Sequence, residues 1–211
     1  MRLLAASALL ALVASQAHAF QLDADARSRV DSVFAEYDRT TGPGCALGVV
    51  PNGRLVLSRG YGVGNLDHGI PLRGSSVFYL ASVSKQFAAA AVLIADDEGL
   101  LSLDDDIRAH IPELPDYGTT VTVRHLLHHT SGIRDYLSLM QLAGIPYENV
   151  LSDENMLGMI TRQKELNFTP GAEHLYSNSG YVLLAQIVKR ATGRALRVYA
   201  DQKITRSGGC E

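Results

Sequence analysis

The sequence predicts an α+β fold, with strands confined to one N-terminal hairpin and helices through the rest of the chain. Three observations predict it. Asn52-Gly53 lies between two apolar runs, Cys45–Val50 and Arg54–Arg59, which is the strongest short-range hairpin signal. Phe87 to Ala95 is apolar on every side of a helical wheel, the mark of a helix buried all round. Gly180 to Ala191 is amphipathic, with Val182, Leu183, Ala185, Ile187 and Val188 at helical spacing. A chain of 211 residues holds one good core and perhaps a small second lobe. With 46% hydrophobic and 19% charged residues, disorder is disfavoured. The formal charge of -3 comes without a basic stripe or a cationic amphipathic helix, so neither nucleic acid nor a membrane surface is an expected partner.

In chain order, Arg2, the apolar run Leu3 to Val13, and Ala17-His18-Ala19 form the three regions of a secretory signal peptide cut before Phe20. No cysteine follows that run, so no lipoprotein anchor is expected, and the chain reads as secreted or periplasmic. Asp23 to Asp38 is the first helix, carrying Val30, Val33 and Phe34 on one face, and Pro43-Gly44 closes that segment. The hairpin follows, and Gly60, Gly62 and Gly64 mark a loop leaving it. Ser82 to Asp97 is the strongest helix, stopped by Gly99. Leu101 to Leu114 reads as loop. Thr122 caps a short helix through His128, and Ser152 caps another to about Arg162. Pro170-Gly171 makes a turn, and Gly193 ends the last helix. A hairpin alone is marginal, so the sheet reads as unfinished. Of the two cysteines, Cys45 reads as a small buried hydrophobe and Cys210 lies beside the terminus; no bridge between them is expected.

Two constellations carry chemistry. Ser82 and Lys85 sit at i and i+3, on one helix face, where an amine can reach a hydroxyl. Alone this does not separate a nucleophile from a helix cap, the default role for serine at such a position. An apolar helix behind the lysine favours its desolvation. Tyr176 and Asn178 share one side of an extended segment, so a phenol and an amide can enter one cleft, or Asn178 can cap the next helix. His125, His128 and His129 invite a metal reading, but only His125 and His128 share a face and no second cluster completes a site; histidines suiting a helix C-terminus is the simpler account. There is no Gly-x-Ser-x-Gly elbow, which disfavours an α/β-hydrolase.

Ala81-Ser82-Val83-Ser84-Lys85-Gln86-Phe87, Leu126 to Gly132, and Pro170-Gly171 followed by Tyr176-Ser177-Asn178-Ser179-Gly180-Tyr181 resemble the β-lactamase-related serine hydrolases, from about Asp31 to Gly193. That family includes class C β-lactamases, penicillin-binding proteins, D-alanyl-D-alanine carboxypeptidases, D-aminopeptidases and some esterases. The resemblance implies a β-lactamase/transpeptidase-like fold and an acyl-enzyme on Ser82, with Lys85 and Tyr176 sharing proton transfer. Asn178 would bind the substrate amide, and the Ser82 backbone N–H would be one oxyanion donor. It implies no cofactor and no metal, and a small-molecule or peptidoglycan-like peptide substrate; oligomeric state stays open. It also implies a later strand with Lys-Thr-Gly or His-x-Gly that supplies the second oxyanion donor, and nothing after Gly193 fits it. The expected organisation is therefore a leader over 1–19, a partial hydrolase domain over 20–193, and an atypical tail over 194–211 from truncation or a frame-shift. Losing one oxyanion donor costs about 3–4 kcal/mol of transition-state stabilisation. The alternative to a serine hydrolase is thus a non-catalytic fragment or pseudoenzyme, possibly a binding module.

Overall fold

The structure is a computed structural model that describes residues 21–206. The leader expected over 1–19 and Cys210 lie outside the described residues; among those described, Cys45 is in no disulfide. The chain forms two compact units, one through Tyr79 and one from Leu80 onward.

In the first unit, Asp23 caps helix α1 (Ala24–Phe34) by accepting from the Ala26 N–H at 2.7 Å. The hairpin pairs β1 (Cys45–Val49) with β2 (Leu57–Tyr61), antiparallel, with Val49 opposite Leu57. Asn52 and Gly53 turn the chain with φ of 49° and 75°, as the Asn-Gly signal requires. The second strand starts at Leu57 rather than Arg54, because residues 50–56 are spent on the turn and its approaches. Helix α1 is held to β2 by one polar and one aromatic contact. Tyr61, 1% exposed, donates from Oη to Asp31 at 2.8 Å, and its ring stacks on Phe34 with centroids 4.9 Å apart. The stretch around Gly60–Gly64, expected to be loop, instead opens a second small ladder, β3 (Val63–Asn65) with β4 (Ile70–Pro71). Gly60 permits it: a Cβ there would lie 2.2 Å from the Leu72 carbonyl oxygen.

The second unit is helical. Its elements are α2 (Lys85–Asp97), α3 (Ile107–His110), α4 (Val123–Leu127), α5 (Tyr136–Leu142), α6 (Asp153–Thr161), α7 (Asn178–Thr192) and α8 (Leu196–Ala200). Helix α7 lies at the centre, and α2, α3, α4, α5, α6 and α8 all pack on it. Leu183, Leu184, Ile187 and Val188 form its buried face, against Val92, Ile107 and Leu126 among others. Gly180 lets α4 approach, with a built Cβ 3.4 Å from the Leu126 carbonyl oxygen. Gly193 ends α7 with φ of 68°.

Three expectations change here. Helix α2 is not buried all round. Its small residues Ala88, Ala91, Val92 and Ala95 face the core at i, i+3, i+4 and i+7, while Leu93 on the other face is half exposed. Leu101 to Leu114, read as loop, contains α3, whose cap is Asp106. Of the tail set apart from residue 194, α8 joins the core: its Tyr199 is 1% exposed and donates its Oη to Glu98 at 2.8 Å.

Candidate active site

The site lies in the second unit, where a tight turn before α2 meets the start of α7. Ala81–Ser84 forms a 3-10 turn leading into α2. Ala81 has φ of 46°, a left-handed conformation that costs a residue with a Cβ about 1–3 kcal/mol and places Ser82 on the outside of the turn. Lys85 is the first residue of α2, one turn on from Ser82. From the other side, Tyr176 ends an extended segment and Asn178 opens α7.

The four predicted side chains converge. Ser82 Oγ lies 2.7 Å from Tyr176 Oη. Lys85 Nζ donates to Ser82 Oγ at 3.1 Å and to Asn178 Oδ1 at 2.9 Å. The ammonium also lies 4.9 Å from the Tyr176 ring centroid and 5.5 Å from that of Tyr181, a cation–π arrangement on two rings. Ser82 is therefore not a helix cap: α2 is capped by Ser84, without a side-chain bond. Asn178 is not a cap either, since Ser177 precedes it at that position and the Asn178 amide is used elsewhere.

Burial raises the Tyr176 pKa, but hydrogen bonding with Lys85 and Ser82 and the Lys85 charge outweigh it, while Asp135 pushes back upward; the phenol ends below the ordinary tyrosine value. Tyr176 is 45% exposed and forms one wall of a cavity of about 420 Å³ bounded by Ile133, Arg134, Ser138 and Leu175. A serine hydroxyl shared between a phenol of lowered pKa and an ammonium is a constellation able to shed a proton and attack a carbonyl.

Two further residues touch this set and were not singled out as site residues from the sequence. His129, read above with the metal-like cluster, stacks on Tyr176 with centroids 4.5 Å apart, and its Nδ1 accepts from the Ser177 N–H at 3.2 Å. Its φ is 57°. Burial, with help from His174 and Lys85, lowers its pKa, so the ring is neutral near pH 7. Asp135 accepts from both N–H groups of Asn178, main-chain and side-chain, the latter at 3.0 Å. His125 is spent locally: its Nδ1 accepts from the Thr122 N–H at 3.2 Å, completing a capping box on α4. Among the described residues no group of three or more His, Cys, Asp or Glu side chains is arranged to hold a metal.

Residues 30–210 match the family described as Beta-lactamase. The chain belongs to the beta-lactamase family. This family match runs past Gly193, through α8 and beyond. Among relatives of this beta-lactamase-family chain, a D-aminopeptidase of Gluconobacter oxydans is 32% identical over 174 residues, covering 82% of this chain and 32% of the relative. A penicillin-binding protein of Bacillus subtilis is 33% identical over 150 residues, covering 71% of this chain and 32% of the relative. Among solved structures, the octameric penicillin-binding protein homologue from Pyrococcus abyssi superposes with a TM-score of 0.69 at 28% identity, covering 85% of this chain and 41% of that one. The chain thus spans about a third of the length of the curated relatives it matches.

Proposed function

We propose that the chain carries the acyl-transfer site of a serine hydrolase acting on an amide, lactam or ester. One observation carries this reading: Ser82 Oγ lies within hydrogen-bond reach of both Tyr176 Oη and Lys85 Nζ. In the proposed reaction Ser82 Oγ attacks the substrate carbonyl carbon and gives its proton to the Tyr176–Lys85 pair. The C–O bond forms, the bond to the leaving amine or alkoxide breaks, and the leaving group takes the proton back. Water then attacks the acyl-enzyme with the same pair as base and regenerates Ser82. The Ser82 main-chain N–H, at the entry to α2, serves as one oxyanion donor. Asn178 has one Nδ2 hydrogen given to Asp135; its second is available to a substrate carbonyl. The name of the Gluconobacter relative favours a small amide with a D-residue over an ester.

The chain is also proposed to be exported, with its leader removed before Phe20; N-terminal sequencing of secreted protein should begin at Phe20. For the reaction itself, purified chain is incubated with a D-aminoacyl p-nitroanilide, a chromogenic cephalosporin and a p-nitrophenyl ester. Turnover of at least one, abolished in Ser82→Ala, supports the proposal. Turnover that persists in Ser82→Ala contradicts it. No turnover of any of the three favours the second reading, a non-catalytic binding module.

A further inference from the structure

We propose that Asp135 is the positioning residue of this site: its carboxylate sets which end of the Asn178 amide faces Lys85. The inference rests on reading Ser82 as the nucleophile. Asp135 caps α5, and its Oδ1 accepts from the Leu137 and Ser138 N–H groups at 3.0 and 3.3 Å. Its Oδ2 accepts from the Asn178 main-chain N–H and from Nδ2. An ionised carboxylate offers about four acceptor sites and no donor, so all of its capacity is in use. The Asn178 amide is thereby held with Nδ2 toward Asp135 and Oδ1 toward Lys85. Reversing it would set Nδ2 against the ammonium and Oδ1 against the carboxylate, two repulsive contacts in place of two attractive ones.

The frame around this contact is cross-tied by hydrogen bonds. Ser179, fully buried, accepts from the Tyr136 N–H at 2.8 Å and donates to the Arg134 carbonyl at 2.7 Å. Residues on both sides of Asp135 are therefore tied to the residue after Asn178. The influence of Asp135 reaches the nucleophile through a chain of hydrogen bonds: Asp135 to Asn178, Asn178 to Lys85, Lys85 to Ser82. Asp135 touches neither Ser82 nor the reacting carbonyl, so its role is to orient.

The test uses the full chain with Asp135→Ser and Asp135→Asn. Serine caps a helix as well as aspartate but is too short to span to Asn178, so it keeps the cap and loses the clamp. Asparagine keeps the shape but turns an NH2 group toward N–H donors. Two readouts are taken: the rate of Ser82 labelling by a fluorophosphonate, and the side-chain amide resonances of Asn178 in a 15N–1H spectrum. Both variants should label about 100-fold more slowly, the scale of a misplaced catalytic group. The Asn178 amide protons should shift away from their hydrogen-bonded position, while the melting temperature of Asp135→Ser stays near that of the parent. Parent-like labelling with unmoved Asn178 resonances in Asp135→Ser overturns the proposal. If the parent itself is not labelled, the reading of Ser82 fails separately. The amide resonances then still decide, unmoved resonances overturning the role of Asp135 and shifted ones supporting it. If Asp135→Asn does not fold, Asp135→Ser carries the comparison.

Discussion

Tyr176 and His129 show how single residues set the chemistry. The phenol is held below the ordinary tyrosine pKa because Lys85 and Ser82 together outweigh its burial. In the proposed reaction the phenol takes up the Ser82 proton and must be ionised, so acylation should rise with pH through that lowered pKa, below the range of free tyrosine. Tyr176→Phe should remove this limb and cut the acylation rate about 10²–10⁴-fold, checked by rate measurements from pH 6 to about 10. The half-buried His129 ring is pushed below about 6.5, its unfolded value. Between the two pKa values the unfolded chain binds more protons than the folded one. The contribution of His129 to stability is therefore complete above about pH 6.5 and lost as pH falls through that window. Protonation at Nδ1 would also remove the acceptor for the Ser177 N–H. Melting temperature should fall on acidification from about pH 7 to 5, and His129→Gln should flatten that slope; an unchanged slope contradicts the assignment. At this scale Ser82, Lys85, Tyr176 and Asn178 were legible because each sits in a short motif with local spacing. Asp135 and His129 were not, because their partners lie 43 and 48 residues away. Asp135 caps α5, but nothing local in the sequence tells what its second oxygen touches.

At the scale of elements, α7 carries the second unit. Leu183, fully buried, touches the core from the middle of its packed face. Leu183→Ala should destabilise by about 3 kcal/mol, measured by urea unfolding. A smaller effect is expected near the helix end. Arg190 forks onto both Glu113 carboxylate oxygens at 2.7 and 2.8 Å and also donates to the His110 carbonyl. The pairing pulls the Glu113 pKa down to about 2. Its stability contribution is present above about pH 4.5 and lost as pH falls toward 2. Glu113 is half exposed, so solvent screens the pair and Arg190→Met should cost no more than about 1 kcal/mol at pH 7. Helices α1, α2, α4, α6 and α7 were legible, being long enough for apolar periodicity or marked by caps. Helices α3, α5 and α8 have four, seven and five residues, below the window in which periodicity speaks. Their helical form comes from tertiary packing and from the caps Asp106 and Asp135. The apolar sequence of α2 misled because alanine counts as hydrophobic on every face, whereas packing uses only the face that meets α7 and α8.

Across the whole molecule, the chain divides at Tyr79 and Leu80, and Val77 and Tyr79 are almost fully exposed there. Brief chymotrypsin treatment should cut after Tyr79 before it cuts within α7, read by intact mass. The motifs on the second unit suffice to name a family, while the division into units left no composition shift or linker to read. The central claim is that Ser82 is acylated by substrate, with the pair Lys85 and Tyr176 taking its proton. The most direct measurement is mass spectrometry of the chain after exposure to benzylpenicillin or a fluorophosphonate, with peptide mapping of the adduct. One adduct per chain, on the peptide that holds Ser82 and absent in both Ser82→Ala and Lys85→Ala, is the predicted result; an adduct on another residue, or one that survives Ser82→Ala, contradicts it.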